Sequence, residues 1–274
     1  MSKAIYQPSG KAREYSRWAC NLYVGCSNDC TYCFNKRRVL GTVMGGPKAT
    51  LKRCFKDEQE AYEVFLKELE KKKDAIIRDG GLLFSFTTDP FLPETAALTV
   101  RCVAEATLRR IPCSILTKCT GWTDISFTNL TMRATLWHCK DYVSIGFTLT
   151  GCDELEPGAS TNSERIKAMR DLHEDGFKTF ASIEPVIDFD KSFDMIRRTA
   201  DFCDHYKIGL LSGDKHAYDG YEMPYRLDTF IYEVNELLSM KGKTVYWKDS
   251  VRTAIKHPIT DPCCVGPDFS LFDQ

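Results

Sequence analysis

Residues 18–33 read WACNLYVGCSNDCTYC, an apolar run that leads into three closely spaced cysteines. Cys26, Cys30 and Cys33 have the spacing C-x-x-x-C-x-x-C, with Tyr32 directly before the last cysteine. Thiolates are soft ligands that suit iron–sulfur clusters. Three of them can hold three irons of a four-iron cluster and leave the fourth iron open to a small molecule. The stretch therefore predicts a β-strand followed at once by a cluster site.

A structural zinc site is the alternative interpretation of these cysteines. It would need a His or Cys from elsewhere to complete a tetrahedron. Structural zinc sites usually show two ligand pairs, and the sequence has no second C-x-x-C and no H-x-x-x-H. Disulfides are less favoured still. Residues 1–17 are polar and lack the apolar core of a signal peptide, so we expect reduced cysteines and a cytoplasmic protein.

The composition is that of a globular enzyme with one substantial domain. The chain has 274 residues, of which 43% are hydrophobic and 27% are charged. We expect the main domain over 1–242 and a C-terminal strand with an irregular extension over 243–274. No apolar run is long enough to cross a membrane, so no membrane partner is expected. The net charge of −1 excludes a strong overall basic field, although Lys36, Arg37 and Arg38 leave a local basic patch open.

Short β-rich runs alternate with helical patterns, which predicts repeated βαβ units around a parallel sheet. The predicted strands cover residues 18–24, 82–86, 113–116, 142–149, 178–183 and 206–211. The predicted helices cover residues 58–77, 96–109, 125–133 and 226–240, with two more after Thr161 and around Ile196. Six βα units favour an open, three-quarter TIM barrel over a closed one, with 244–247 as a possible extra strand.

Helix boundary signals support this division of the chain. Thr161 and Glu164 have the spacing of a capping box, and Gly176 stands where a helix of that length would end. Thr95 is a candidate cap for the helix over 96–109.

Residues with polar side chains, and two prolines beside them, stand at or just after the carboxyl ends of the predicted strands. In parallel α/β folds the functional groups lie beyond the carboxyl ends of the strands, so we expect these residues to meet at one site. Besides the three cysteines, they are Thr87, Thr88, Asp89, Pro90, Thr117, Lys118, Thr148, Thr150, Glu184 and Pro185.

Four further motifs narrow the interpretation. They are GKAREY over 10–15, NLYVGC over 21–26, TDPF over 88–91, and EPGA over 156–159 followed by Arg165. Together with the cysteine spacing they resemble the spore photoproduct lyase-like group of radical S-adenosylmethionine (SAM) enzymes. The resemblance covers roughly the first two-thirds of the chain. It implies an α/β fold, a partial (β/α)6 TIM barrel of the radical SAM type, here with a short C-terminal extension.

The resemblance also implies two cofactors, a [4Fe–4S] cluster and SAM. In that superfamily SAM chelates the open iron, and an electron from the cluster cleaves it to methionine and a 5′-deoxyadenosyl radical that abstracts hydrogen. Cys26, Cys30 and Cys33 would be the metal ligands and the catalytic residues. An electron donor such as a flavodoxin or a ferredoxin is the implied protein partner.

The group's pattern places further residues around SAM: Thr88, Lys118 and Thr148, with Tyr32 near the adenine and Glu184 as an additional neighbour. Lys118 would be a point charge for the methionine carboxylate, and the threonine hydroxyls would hydrogen-bond polar groups of SAM. The competing interpretation is an ordinary surface lysine and threonines selected for strand propensity. Asp89 before Pro90 would only shape a turn.

One departure separates the chain from spore photoproduct lyase itself. The lyase has a hydrogen-donating cysteine two residues before the first SAM-contacting hydroxyl, and here that position is Phe86. The first cluster cysteine also comes early, at position 26. Repair of that DNA lesion is therefore not expected. Cys119 and Cys152 are the best-placed substitute thiols, but a packing role is the preferred interpretation for both.

The sequence leaves the substrate open. By analogy with the group, a nucleic-acid base or nucleotide is favoured. The near-neutral charge keeps a peptide or a small molecule as an alternative with the same chemistry. A non-catalytic iron–sulfur protein with a redox or regulatory role is the other alternative, and it predicts a cluster without SAM cleavage.

Overall fold

The computed structural model describes residues 4–36, 41, 43–123, 127–211, 223–255 and 257–272. Within these ranges the strands are β1 (Ile5–Tyr6), β2 (Ala19–Cys20), β3 (Tyr23–Val24), β4 (Thr50–Leu51), β5 (Leu82–Phe84), β6 (Cys113–Thr117), β7 (Val143–Thr148), β8 (Lys178–Val186), β9 (His205–Leu210) and β10 (Thr244–Trp247).

The helices follow the predicted apolar periodicity. They are α1 (Glu58–Arg78), α2 (Ala96–Leu108), α3 (Phe127–His138), α4 (Asn162–Glu174), α5 (Phe189–Thr199), α6 (Met223–Met240) and α7 (Asp249–Arg252). In α1 the buried residues are Ala61, Phe65, Leu69 and Ile76, the face that the sequence predicts. Burial of such a stripe against the sheet supplies most of a helix's stability in a protein.

Eight of the strands form one sheet in the order β1-β2-β5-β6-β7-β8-β9-β10. Only β1 pairs with its neighbour in the antiparallel direction; every other pair in this sheet is parallel. Helices α1 to α6 alternate with the parallel strands, so six βα units are followed by β10. The predicted α/β fold is confirmed. The order has two ends, as an open barrel requires, and the extra strand over Thr244–Trp247 is present.

The first predicted strand is wrong in one respect, because residues 18–24 form two short strands instead of one. Asn21 interrupts them: its backbone N–H donates to Ala4 O (3.1 Å), and its side-chain Oδ1 accepts from Phe86 N (2.9 Å). After this break β3 leaves the main sheet and pairs with β4. The side chain of Asn21 thus makes a hydrogen bond where a continuous strand would use its backbone groups.

Several other boundaries differ from the prediction. Strand β8 runs to Val186, three residues beyond the predicted end, so it includes Glu184 and Pro185. Strand β5 ends at Phe84, two residues early, so Thr88 lies in the following loop. Thr95 makes no capping hydrogen bond to α2 and donates instead to Asp89 O (2.9 Å). Helix α3 runs to His138, beyond the predicted end at 133. The predicted capping box of α4 is confirmed, with both of its hydrogen bonds present.

The N-terminal segment reaches the far end of the sheet. Glu14 ends a 3-10 helix over Gly10–Glu14, and its Oε1 accepts from Asp249 N (2.7 Å) just after β10. Lys207 on β9 donates from Nζ to the carbonyl oxygens of Glu14 and Tyr15, both at 3.0 Å. The segment therefore packs against the β9 and β10 end of the sheet, while β1 pairs at its other end.

The C-terminal extension packs against β10. Val245 donates to Cys263 O (2.9 Å) and accepts from Val265 N (2.9 Å). Arg17 forms a bidentate ion pair with Asp268 that ties this extension to the segment before β2. None of the helices within the described ranges combines the length and the apolar character that a membrane-spanning helix needs.

Candidate functional site

The cluster loop is anchored directly before its first cysteine. Cys26 N donates to Gly46 O (3.0 Å), and Gly25 N donates to Met44 O (2.9 Å). Gly25 has a φ of +83°, and a Cβ there would lie 2.2 Å from Lys48 O. Only glycine fits this position without displacing the backbone opposite. The glycine of the NLYVGC motif thus lets the segment over 44–48 pack against the start of the loop.

A cavity of about 470 Å³ opens at the carboxyl ends of the strands. All eight residues that the sequence proposes for the cluster and SAM line it: Cys26, Cys30, Tyr32, Cys33, Thr88, Lys118, Thr148 and Glu184. A volume of this size suits a small organic ligand. The structure therefore brings together residues that span almost 160 positions of the sequence.

The donor chemistry of this cavity fits an iron–sulfur cluster. Cys26, Cys30 and Cys33 all line the cavity, and a four-iron cluster uses a different iron for each thiolate. In the part of the chain that the structure describes, no three His, Cys, Asp or Glu side chains lie close enough together to hold a single metal ion. Burial raises the pKa of the Cys26 thiol to about 12, with Asp89 adding to the effect, and burial also raises the pKa of Cys30. Metal coordination overcomes such a shift, since a bound thiol is deprotonated.

Three buried polar atoms that belong to cavity-lining residues have no hydrogen-bond partner within the described part of the chain. Asn28 Oδ1, Asn35 Oδ1 and Thr88 Oγ1 accept or donate no hydrogen bond among the described residues. All three residues line the cavity. A buried polar atom without a partner costs roughly 1–3 kcal/mol, so a bound cofactor that satisfies them would recover this free energy.

Asp89 connects the cluster loop to the end of β6. Its Oδ2 accepts from Asn28 Nδ2 (2.8 Å) and from Lys118 N (2.7 Å), while its Oδ1 accepts from Thr117 Oγ1 (2.6 Å) and Phe91 N (3.0 Å). Sequence reasoning missed this role and gave Asp89 only a turn. The sequence feature that could have indicated this role is the position of Asp89 beyond a strand end, where a carboxylate can accept hydrogen bonds from several loops at once.

Lys118 lies against a buried ion pair. Glu156 and Arg165, both fully buried, join at 2.5 Å through Oε2 and Nη2. Tyr32 donates its hydroxyl to Glu156 Oε1, and Lys118 Nζ lies 3.9 Å from the same oxygen and 5.5 Å from the Tyr32 ring centre. Burial alone lowers the pKa of Lys118, but Cys30 and Glu156 raise it, and the net value lies above the ordinary one. Lys118 therefore stays an ammonium group at neutral pH.

Another section of the wall, built from β8 and the residue after β10, was not predicted as a unit. Tyr15 Oη lies 2.6 Å from Ser182 Oγ and donates to Glu184 Oε2 (2.5 Å). Lys248 Nζ donates to the same Glu184 oxygen (2.6 Å). All four residues line the cavity. Two sequence features could have indicated these residues. Tyr15 belongs to the GKAREY motif, and Lys248 directly follows a predicted strand.

Some sequence candidates lie elsewhere. Cys119 and Cys152 are not among the cavity-lining residues of the described ranges. Lys36 lines the cavity and pairs with Asp29, whereas the remainder of the proposed basic patch, Arg37 and Arg38, lies outside the described residues.

Sequence comparison identifies one family and one relative. A family model described as the radical SAM superfamily matches residues 20–203, more than half of the chain. The chain is 24% identical over 252 residues to an uncharacterized protein of Methanocaldococcus jannaschii, with 88% of this chain and 86% of that protein covered.

Structure comparison shows similar folds at low identity. Spore photoproduct lyase complexed with dinucleoside spore photoproduct has a TM-score of 0.62 at 13% identity, covering 88% of this chain and 80% of that one. Streptococcus suis SuiB bound to S-adenosylmethionine has a TM-score of 0.56 at 12% identity, covering 87% of this chain and 50% of SuiB. SuiB bound to precursor peptide SuiA has a TM-score of 0.58 at 13% identity, covering 86% of this chain and 49% of SuiB. The chain thus spans about half the length of SuiB.

Proposed function

The chain belongs to the radical SAM superfamily, and we propose that it uses SAM-derived radical chemistry to abstract hydrogen from a nucleic-acid base or nucleotide. Family membership implies an enzyme with a [4Fe–4S] cluster and SAM. The single observation that carries the site assignment is the cavity lined by the three cysteines, Lys118 and Thr88, whose Oγ1 has no hydrogen-bond partner among the described residues.

Cys26, Cys30 and Cys33 would each bind one iron of the cluster, and SAM would occupy the cavity beside them. When bound and reduced, the cluster supplies the electron that cleaves SAM to methionine and the 5′-deoxyadenosyl radical. Lys118, held as an ammonium group by Glu156, would bind the methionine carboxylate. Thr88 Oγ1 would hydrogen-bond a polar group of SAM, since it has no partner among the described residues.

The protein's own contribution is binding, orientation and exclusion of water. Thr148 is buried at the end of β7, and its carbonyl accepts from Arg165 Nη1 (2.6 Å), so its position is fixed by the Glu156–Arg165 pair. Tyr32 is fixed through Glu156 in the same way. Side chains that are already held in position reduce the conformational entropy that the protein loses when a ligand binds.

A nucleobase substrate is supported by the fold likeness to spore photoproduct lyase and by the aromatic rings of the cavity wall. Tyr15 and Phe86 both line the cavity, with ring centres 6.1 Å apart. Aromatic side chains are common stacking surfaces for bases. Lys11 and Lys36 also line the cavity.

A peptide substrate is the second candidate, because the SuiB fold binds a precursor peptide in a solved structure. Salt dependence separates the two. A nucleic acid loses affinity as salt rises in proportion to the phosphates contacted. We expect such a slope for single-stranded DNA or RNA oligonucleotides, and a salt-insensitive or absent interaction would favour the peptide.

Alanine substitution of the cysteines tests the site assignment. Cys26→Ala, Cys30→Ala or Cys33→Ala should each lower the iron and sulfide content after anaerobic reconstitution and abolish 5′-deoxyadenosine formation with dithionite and SAM. Cys54→Ala is the matched control, since Cys54 is exposed and outside the cavity lining. If any one of these three cysteine variants kept a full cluster and cleaved SAM, the three-thiolate assignment would be overturned.

A further inference from the structure

The wall formed by Tyr15, Ser182, Glu184 and Lys248 contains a buried ionic network. Lys248 Nζ lies between Glu184 Oε2 (2.6 Å) and Glu14 Oε2 (3.4 Å), and the Lys248 side chain is only 1% exposed. Burying charges costs several kcal/mol per ion unless they are paired, so a packed apolar wall would be the simpler way to gain stability.

Glu184 uses only one of its two carboxylate oxygens in this network. Both Tyr15 Oη and Lys248 Nζ donate to Oε2, and Oε1 accepts no hydrogen bond from the described residues. Both donor groups have further contacts within the wall. Tyr15 Oη also contacts Ser182 Oγ, and Lys248 Nζ lies 4.3 Å from the Tyr15 ring centre. Since Glu184 lines the cavity, Oε1 is the atom of this wall that remains for a ligand.

Gly209 on β9 provides the space for this carboxylate. A Cβ at that position would lie 3.0 Å from Glu184 Oε1 and 3.0 Å from Lys248 Cδ. A side chain there would force one partner to move. The absence of a side chain thus lets both partners keep this arrangement.

The wall is balanced in charge. Of its four residues only Glu184 and Lys248 are charged, and their carboxylate and ammonium groups pair at 2.6 Å. A balanced wall gives little attraction to a cation, but the open carboxylate oxygen still makes a strong, charge-assisted acceptor. The complementary ligand group is a neutral donor.

We propose that Glu184 Oε1 accepts a hydrogen bond from a neutral N–H of the substrate, of the type in the imide of a pyrimidine base, while Tyr15 and Lys248 orient the carboxylate. The inference rests on the proposed function and refines its substrate class. It assigns Glu184 to the substrate instead of to SAM, which is the neighbour that the family resemblance implies.

Glu184→Gln tests the proposal because it replaces the hydrogen-bond acceptor Oε1 with a hydrogen-bond donor. Tyr15 and Lys248 both donate, so they select the amide oxygen, and the NH₂ group takes the place of Oε1. Wild-type protein should bind thymidine about tenfold or more tightly than N3-methylthymidine, which lacks the N–H. The variant should lose this preference through weaker thymidine binding. Glu63→Gln, on the exposed face of α1, is the control that should retain it.

The same reconstituted samples report the proposed function separately. SAM binding and dithionite-driven 5′-deoxyadenosine formation should be equal in wild type and Glu184→Gln. A variant that loses SAM affinity overturns the assignment to substrate. Equal affinity of wild type for the two nucleosides, or no binding of either, also overturns it. Absence of 5′-deoxyadenosine from the wild-type protein contradicts the proposed function, whatever the nucleosides do.

Discussion

Asp89 shows how one side chain organises a site from several loops. Its two oxygens accept four hydrogen bonds, from Asn28, Phe91, Thr117 and Lys118. Asp89→Asn replaces one oxygen with a donor that faces other donors. We expect the free energy of unfolding to fall by about 1–3 kcal/mol, measured by urea denaturation. Asp74→Asn, an exposed residue on α1, is the control; an equal effect of the two would contradict the role of Asp89.

Lys207 gives a pH-dependent prediction. Burial, with Lys248 nearby, lowers the pKa of Lys207 to about 7. In the unfolded chain a lysine keeps a pKa of about 10.4, so between these values the unfolded state binds more protons than the folded state. The contribution of Lys207 to stability therefore rises as the pH increases through this window.

The comparison with Lys207→Met isolates this contribution. The unfolding free energy of the wild type should increase relative to the variant from about pH 7 to about pH 10, and the difference should be flat below about pH 6. Chemical denaturation at each pH measures it. A difference that stays constant over the upper range would show that Lys207 is not buried as the structure has it.

Local motifs and strand ends in the sequence mark residues that the structure brings together. The cysteine spacing and the strand ends lead directly to Cys26, Lys118 and Thr148, and all of them line one cavity. Tyr15 and Lys248 are different. They are 233 positions apart, and only the packing of the N-terminal segment on β10 brings them together. No local pattern carries that information, because it depends on tertiary contacts.

At the level of elements, local signals fix the helices more firmly than the strands. Helix α1 and the capping box of α4 match the prediction because periodicity and caps are properties of neighbouring residues. The split of residues 18–24 does not follow from local propensity. Asn21 makes its bonds to Ala4, Tyr6 and Phe86, so long-range partners decide where the strand is interrupted.

Helix α4 positions Arg165, so its N-terminal cap supports the site. Thr161→Ala removes one half of the capping box, and we expect the free energy of unfolding to fall by about 1 kcal/mol. Thr135→Ala, at a partly exposed position of α3, is the matched control and should have a smaller effect or a slightly stabilising one. Thermal and urea denaturation measure both; equal losses would contradict the capping role.

For the whole molecule, the open sheet explains where the cavity lies. Parallel strands end at the same edge, so the loops after β5, β6, β7 and β8 contribute neighbouring side chains. The alternation of strands and helices was sufficient to predict this architecture. The packing of Gly10–Glu14 against the β9 and β10 end was not predictable, because a short segment with few apolar residues has no periodicity to indicate its partner.

We propose that Cys26, Cys30 and Cys33 form a cluster site that binds SAM beside Lys118 and Thr88. The EPR spectrum of the anaerobically reconstituted, dithionite-reduced protein with and without SAM tests this assignment. We predict a four-iron cluster signal whose shape changes when SAM is added. A cluster signal that is indifferent to SAM, or a protein that takes up zinc and no iron, would refute the assignment.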